Sequence, residues 1–139
     1  MRHALALVRG RPFEEAHGYE WAFADMHVTH AECVVADVAH RLVELALASD
    51  DAPLALWATD RALRCCPGSE PLALDRMRAF HAAGDPAGIE TTMRDLLASL
   101  DADDPHGVLH DDTIAAYHAL LPERSGPRDR MRPPTEGAT

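Results

Sequence analysis

Aromatic side chains are scarce in this chain: phenylalanine, tryptophan and tyrosine together make up 5% of its 139 residues. The β-branched residues that favour strands are also thinly spread. Alanine and leucine, which favour helices, supply much of the 47% of residues that are apolar. The composition therefore predicts an all-α fold, and the length predicts one domain that buries a core of its own.

Basic residues are few as well, with 13 of them against 23 acidic residues and a net charge of −10. Because an acidic surface repels phosphate backbones, we expect no direct binding to DNA or RNA. No apolar run approaches the ~20 residues of a membrane span, so we expect neither a membrane anchor nor a signal peptide. Three cysteines, two of them adjacent, make a poor disulfide framework and favour a reducing cytoplasm.

Prolines, glycines and capping residues divide the chain into about five or six predicted helices. Asp51 and Ser69 precede two of these helices as N-caps, and Asp111 or Asp112 does so for the last. The predicted helices cover residues 4–8, 19–49 with a bend or break near residue 30, 53–66, 70–83, 87–101 and 113–121. Residues 122–139, with four prolines and several arginines, are predicted to form a disordered tail.

Small residues and a proline within residues 50–67 favour a particular arrangement of helices. Ala55 and Ala62 stand seven residues apart and share a helix face, where a second helix can approach closely. Pro67 then ends the helix, because it has no N–H and disfavours helix in the preceding residue. Five positions recur 33 residues later, with Pro53, Leu56, Thr59, Arg61 and Leu63 matching Pro86, Ile89, Thr92, Arg94 and Leu96. A period near 34 predicts a tetratricopeptide-like array of helical hairpins.

Several segments also follow one another in a characteristic order. An apolar helix and a Gly–Pro turn are predicted at residues 4–13, Trp21 precedes the long helix, a helix and turn follow at residues 78–88, and residues 109–120 are predicted to close the array. In this order and spacing the chain resembles the bacterial transcriptional activator domain, which follows the winged-helix domain of actinobacterial antibiotic regulatory proteins. The resemblance covers residues 4–121 and is particularly close to the versions in long actinobacterial proteins that also carry a LysM module.

The resemblance implies a non-catalytic interaction or regulatory domain, here residues 1–121, of a bacterial transcriptional regulator. The winged helix that binds DNA in that family is absent from this chain, so we expect an excised domain or a stand-alone relative. The implied partners are proteins: other domains of the parent regulator, RNA polymerase or a second copy of the chain as a homodimer. A stand-alone oligomerisation or adaptor module is the alternative.

The same resemblance suggests where a partner binds. In stacked hairpins the first helix of each pair lines a concave groove, and residues 37–49 and 70–83 are expected to be such helices. This places five side chains toward the groove: Asp37, His40, Glu44, Arg78 and His81. Their mixed charges suit a peptide or a partner helix. The alternative is that each forms an ordinary surface ion pair of small energetic value.

Four histidines offer a metal-binding interpretation. His27 and His30 lie three residues apart and could share a helix face, and His106 and His110 could add ligands. The alternative is that they stand on polar helix faces, since no cysteine or glutamate lies nearby at a fixed ligand spacing. We therefore expect no bound metal, and a small metal-dependent enzyme is the least favoured function.

Calcium and catalytic motifs are not matched either. Asp101, Asp103 and Asp112 resemble ligands of a calcium loop, but Pro105 takes a ligand position and His106 replaces the required glycine. The chain has no glycine-rich phosphate loop, nucleophile elbow or histidine–glutamate zinc motif. The sequence therefore predicts neither an enzyme nor a cofactor.

The tryptophans and cysteines are predicted to be packing residues. Trp21 and Trp57 are expected in the core rather than as interface anchors, because few other large side chains are available to fill it. Adjacent cysteines rarely close a disulfide without strain, so Cys65 and Cys66 are expected to fill small gaps, as is Cys33.

Overall fold

The computed structural model describes residues 1–14, 17–18, 20–21 and 26–122, so all of the predicted tail except Pro122 lies outside the described residues. Within those ranges the chain forms six helices and no strand beyond one isolated bridge, which confirms the predicted all-α fold. The helices are α1 (Arg2–Ala6), α2 (His27–Ala48), α3 (Ala52–Cys65), α4 (Glu70–Ala82), α5 (Pro86–Ser99) and α6 (Asp111–Leu120). None of the described helices combines the length and the apolar character that crossing a bilayer requires.

Three of the helices begin at side-chain caps. Asp51, Ser69 and Asp85 each accept a hydrogen bond from the backbone N–H three residues further on, at 3.0, 3.5 and 3.0 Å. The predicted caps Asp51 and Ser69 are thus confirmed. Each of these helices also carries a proline in its first turn, where the missing N–H removes no helical hydrogen bond.

The long helix α2 is shorter than predicted. It begins at His27 because Met26 adopts a left-handed conformation (φ 59°), which a continuous α-helix excludes. The predicted helix over residues 19–49 is therefore interrupted at Met26, earlier than the bend or break predicted near residue 30. Residues 20–21 are helical, and residues 19 and 22–25 lie outside the described part. Methionine gives no local signal for such a turn, whereas glycine would have.

The first helix also differs from the prediction: α1 lies two residues earlier than predicted, with Leu5 buried.

The start of α6 also corrects the sequence prediction. Neither Asp111 nor Asp112 caps the helix, because both already lie inside its first turn. There the two carboxylates face the positive end of the helix dipole, which is a favourable position for them. His110 occupies the N-cap position without a capping side chain of its own, and the carboxylate of Glu70 on α4 accepts its backbone N–H at 3.1 Å.

The helices form two layers. Helix α4 contacts both α2 and α6, and these three helices form the inner layer. Helix α3 packs on α2 and α4, and α5 packs on α4 and α6, yet the described residues show no contact between α3 and α5. A cavity of about 250 Å³ separates these two outer helices and is lined by charged residues that include Asp60, Arg76 and Asp95. The array therefore curves with α2, α4 and α6 on its inside.

Alanines bring the helices of the first hairpin close together. Ala55, Ala58 and Ala62 of α3 have no exposed surface, which confirms the predicted small-residue face. A second group of buried residues joins α4, α5 and α6 around Met77 and Ile89. Because α4 contributes to both groups, it is the element that connects the two halves of the core.

The internal repeat places equivalent threonines in equivalent positions. Thr59 of α3 and Thr92 of α5 are both buried, and each hydroxyl lies within hydrogen-bond distance of the backbone carbonyl four residues earlier, at 3.2 and 2.8 Å. The hydroxyl of Thr59 is shared with the carbonyl of Leu56, at 3.0 Å. This bond satisfies a polar group that burial would otherwise penalise. In both outer helices, a buried threonine hydroxyl is therefore satisfied by a backbone carbonyl of its own helix.

The two tryptophans have different environments. Trp57 is half-buried against the first core group, with the guanidinium groups of Arg2 and Arg61 at 5.4 and 5.9 Å from its ring centroid. Trp21 is 51% exposed and contacts the edge of the His27 ring, so its predicted core position is wrong. Trp21 precedes the left-handed turn at Met26 and is therefore not part of the continuous helix α2.

The cysteines divide in a similar way. Cys65 is buried and Cys66 is half-buried, where burial raises the pKa of the Cys66 thiol to about 12. A thiol with so high a pKa is a poor nucleophile, in agreement with a packing role. Cys33 is exposed on α2, so its predicted core position is wrong: it lies off the buried stripe of α2 that contains Ala39 and Val43.

Replacing Gly88 by alanine is expected to destabilise the protein. A Cβ at this position would overlap the Phe80 ring where α5 crosses α4. We expect Gly88→Ala to lower the free energy of unfolding by about 1–3 kcal/mol, although alanine is the better helix former. Urea denaturation followed by circular dichroism measures this change.

The control is the same substitution in a Phe80→Ala background, where no ring remains to be displaced. There the higher helix propensity of alanine should dominate, and Gly88→Ala should stabilise by up to about 1 kcal/mol. An equal loss in both backgrounds would show that the close approach of the ring is not the cause.

Candidate functional site

A groove opens on the inner layer between α2, α4 and α6 and encloses about 360 Å³. We call it the inner groove. It is lined by His40 of α2, by Pro71, Leu74, Asp75 and Arg78 of α4, and by Ala116, Ala119 and Leu120 of α6. The short alanine side chains of α6 leave the space, and the lining contains one buried charged group.

That group is the carboxylate of Asp75, which is 3% exposed. Its Oδ2 lies 2.7 Å from Nδ1 of His40, and its Oδ1 lies 3.6 Å from a guanidinium nitrogen of Arg78. Burial raises the pKa of the Asp75 carboxyl, and the hydrogen bond from His40 and the charge of Arg78 offset this only in part. Asp75 is therefore a buried acid that its neighbours compensate incompletely.

His40 extends this network to the rim of the groove. Because an ionised Asp75 is an acceptor, Nδ1 of His40 carries the proton of that hydrogen bond. The second ring nitrogen, Nε2, lies 3.5 Å from Oε1 of Glu44, one turn further along α2. The other oxygen of Glu44 lies 3.3 Å from Arg41. The rim thus alternates basic and acidic groups along α2.

The structure brings three of the five predicted groove residues together. His40 and Arg78 line the groove and both contact Asp75, and Glu44 joins this group through His40 without lining the groove. Asp37 is exposed on α2, one turn before His40, and does not line the groove.

His81 lies outside the inner groove. Its Nδ1 is 2.9 Å from the backbone carbonyl oxygen of Leu120, at the C-terminal end of α6. It lines a neighbouring cavity of about 330 Å³ together with residues that include Ile89 and Pro122. His81 therefore holds the end of α6 and faces a different space from Arg78.

Asp75 itself was not among the predicted site residues, although the sequence contains a signal for it. Leu72, Asp75 and Ala79 are spaced three and four residues apart and share the buried stripe of α4. A carboxylate inside an apolar stripe needs a buried partner, because isolated burial of a charge is costly. The partner comes from α2, and no local pattern identifies it.

A second carboxylate fixes the far wall of the groove. Glu70, at the start of α4, accepts hydrogen bonds from the backbone N–H of His110 (3.1 Å), from the ring of His110 (3.0 Å) and from the hydroxyl of Thr113 (2.6 Å). Burial by itself raises the pKa of Glu70, but these hydrogen bonds outweigh it and hold the pKa below its ordinary value. Glu70 thereby ties the first turn of α6 to α4.

The four histidines considered as metal ligands are not assembled into a site. His27 contacts the ring of Trp21, and His110 binds Glu70. In the described part of the chain, no group of three or more histidine, cysteine, aspartate or glutamate side chains is placed to hold a metal ion. The candidate site among the described residues is the inner groove.

Comparison with models of protein families, with curated proteins and with solved structures finds no match to this chain. The resemblance to the bacterial transcriptional activator domain therefore stays a prediction. The all-α fold and the geometry of the inner groove are independent of it.

Asp75→Asn is expected to stabilise the protein slightly at neutral pH. An acid whose pKa is raised by folding destabilises the folded state once it ionises, and asparagine can still accept the hydrogen bond from His40. We expect a gain of up to about 1 kcal/mol near pH 7, which vanishes as the pH falls below the raised pKa of Asp75. Urea denaturation at several pH values measures this, with Asp95→Asn at an exposed position of α5 as control. A loss of stability at neutral pH would contradict it.

Glu70→Gln is expected to destabilise the protein at neutral pH, whereas Asp75→Asn is expected to stabilise it. The lowered pKa of Glu70 means that its ionised form stabilises the folded state at pH values above its unfolded pKa. We expect Glu70→Gln to cost about 1–2 kcal/mol at neutral pH, because glutamine keeps only one acceptor oxygen. The difference in the free energy of unfolding between Glu70→Gln and the unaltered chain should become smaller as the pH falls through the lowered pKa of Glu70.

The matched control is Glu90→Gln, an exposed residue of α5. It should leave the stability nearly unchanged at every pH, as surface substitutions usually do. If the cost of Glu70→Gln did not depend on pH, the charge of Glu70 would not be what binds α6.

Proposed function

We propose that this chain is the non-catalytic protein-interaction domain of a bacterial transcriptional regulator and that the inner groove is its binding surface. The observation that carries the proposal is the groove itself, an apolar floor of Leu74, Ala116 and Ala119 with a charged rim. Grooves of this kind receive the apolar face of a helix or the side chains of an extended segment. The charged rim then fixes the orientation of that segment.

The chemistry of the groove favours binding over catalysis. Its polar groups are engaged with one another, since His40 and Arg78 both contact Asp75. None of the residues that line the groove carries a hydroxyl or a thiol that an Asp–His pair could activate as a nucleophile.

The arrangement of helices supports a tetratricopeptide-like classification as part of this proposal. The inner layer of α2, α4 and α6 corresponds to the first helices of successive hairpins, and the buried Thr59 and Thr92 of the outer helices stand 33 residues apart. Stacked hairpins of that period usually present their inner layer to a ligand.

In this proposal the domain acts in the cytoplasm. The partner is another domain of the parent regulator or a subunit of RNA polymerase, and binding changes how a DNA-binding module meets the polymerase. The net charge of −10 makes direct binding of this part to nucleic acid unfavourable. The proposed role in transcription is based on the resemblance of residues 4–121 to the bacterial transcriptional activator domain. The proposed binding surface is based on the inner groove.

Self-association is the second candidate, and one observation favours it. Val34 and Leu45 of α2 are 47% and 55% exposed and lie eleven residues apart, on one stripe of the helix. Such a stripe can pair with its copy around a two-fold axis. A molar mass from light scattering that doubles with concentration and falls back in Leu45→Glu would support it.

Site-specific photo-crosslinking tests the proposed function. A photoreactive amino acid at Ala119 in the groove should capture a purified RNA polymerase subunit or regulator, because that position lines the binding surface. The same amino acid at Glu90, exposed on the outer helix α5, should not. Arg78→Ala should weaken the capture severalfold, whereas Arg94→Ala, on the exposed side of the outer helix α5, should not.

Capture of equal amount from positions 119 and 90 would place the contact outside the groove and contradict the proposal. Capture of neither protein at micromolar concentrations would contradict it as well. A crosslink only to copies of the same chain would favour the self-association candidate.

A further inference from the structure

Helix α2 lies at one edge of the array and leaves one of its sides uncovered. Within the described part of the chain, α2 contacts the helices α1, α3 and α4. These contacts bury a single stripe of α2, which includes Ala39 and Val43. The side of the helix opposite this stripe is packed against none of the described helices, so a partner can reach it.

Four exposed residues form this uncovered side, which we call the edge face: Val34, Asp37, Arg41 and Leu45. With 3.6 residues per turn, they lie within about 80° of one another around the helix. The edge face therefore carries an apolar side chain toward each end and two opposite charges between them.

The acidic group of the edge face has no matching cation within its own fold. Among the described residues, Asp37 forms neither a hydrogen bond nor an ion pair. Arg41 lies one turn further along α2, but its NH1 group contacts Glu44 at 3.3 Å instead. Because a guanidinium has five N–H donors and the Arg41 side chain is 75% exposed, it can bind a second carboxylate as well.

The edge face is complementary to itself. In two antiparallel helices related by a two-fold axis, each residue meets the residue that lies equally far on the other side of the axis. The pair Val34 and Leu45 and the pair Asp37 and Arg41 are both centred within half a residue of Ala39. One axis therefore places Val34 on the partner's Leu45 and Asp37 on the partner's Arg41.

The two kinds of contact lie on separate sides of this interface. Val34 and Leu45 are about 20° apart around α2, and Asp37 and Arg41 are about 40° apart. Apolar side chains therefore meet along one side and opposite charges along the other, and the buried stripes of the two helices point away from each other. An unrelated partner would not require this symmetry, so the pattern identifies a second copy of the chain.

We propose that two copies of this chain pair through their edge faces, antiparallel about a two-fold axis near Ala39, with Asp37 of each copy on the partner's Arg41. This inference gives the self-association candidate a defined register. No residue of the edge face lines the inner groove, so the pairing leaves the groove of each copy open. The inference is therefore compatible with the proposed function of the groove and does not rest on it.

The expected dimer is weak. A single pair of helices buries less surface than the ~1,600 Å² of a standard stable interface. We therefore expect a Kd on the order of 10–100 μM. Sedimentation equilibrium of the full chain at about 5–500 μM should show a reversible change from monomer to dimer.

Charge reversal tests the register. Asp37→Arg faces the partner's Arg41 with a like charge, and Arg41→Asp does the same to the partner's Asp37. Each variant alone should have a Kd at least about tenfold higher than the unaltered chain. An equimolar mixture of the two variants should dimerise again with a Kd close to that of the unaltered chain, because the mixed dimer contains two arginine–aspartate contacts. Contacts within one chain cannot produce this recovery on mixing.

Glu90 and Arg94 of α5 provide the matched control. They are exposed and four residues apart, as Asp37 and Arg41 are. Glu90→Arg and Arg94→Asp should leave the Kd of the dimer unchanged. Circular dichroism checks that each variant keeps the helix content of the unaltered chain.

A chain that stays monomeric up to about 500 μM would overturn the inference. A Kd that charge reversal leaves unchanged would do so as well, as would a mixture that dimerises no better than its components. The proposed function has a separate readout, because crosslinking from position 119 to a transcription protein should persist in Arg41→Asp. Capture without a dimer would show that only this inference is wrong, and a dimer without capture would show that only the proposed function is wrong.

Discussion

The inner groove depends on two carboxylates that helix α4 directs to opposite sides. Asp75 binds His40 and so fixes α2 against α4, and Glu70 binds His110 and Thr113 and so fixes α6 against α4. The two differ in their electrostatics, since folding raises the pKa of Asp75 and lowers that of Glu70. One wall of the groove is thus held by a carboxylate whose burial its partners offset only in part, and the other by a carboxylate whose hydrogen bonds outweigh its burial.

Features that depend on neighbouring residues could be predicted from the sequence. The caps at Asp51 and Ser69, the small face of α3 and the all-α class follow from local chemistry, and the structure confirms them. The start of α2 could not be predicted in this way, because the left-handed turn falls on Met26, a residue type that seldom adopts it.

The candidate site was predictable only in part. His40, Glu44 and Arg78 follow from assigning α2 and α4 to one layer, and the structure brings them together. Asp75 organises them, yet its importance depends on a partner 35 residues away, which no spacing rule identifies. His81 belongs by helical periodicity to the same face as Arg78, but the carbonyl of Leu120 draws it to the neighbouring cavity.

The gap between the outer helices α3 and α5 makes the array easier to bend toward its inner side, where α2 and α6 lie, than toward its outer side. Drawing α2 and α6 together around α4 breaks no contact between α3 and α5, because these helices do not touch, and only widens the cavity that already separates them. A segment seated on the inside can therefore increase the curvature of the array at little cost in packing.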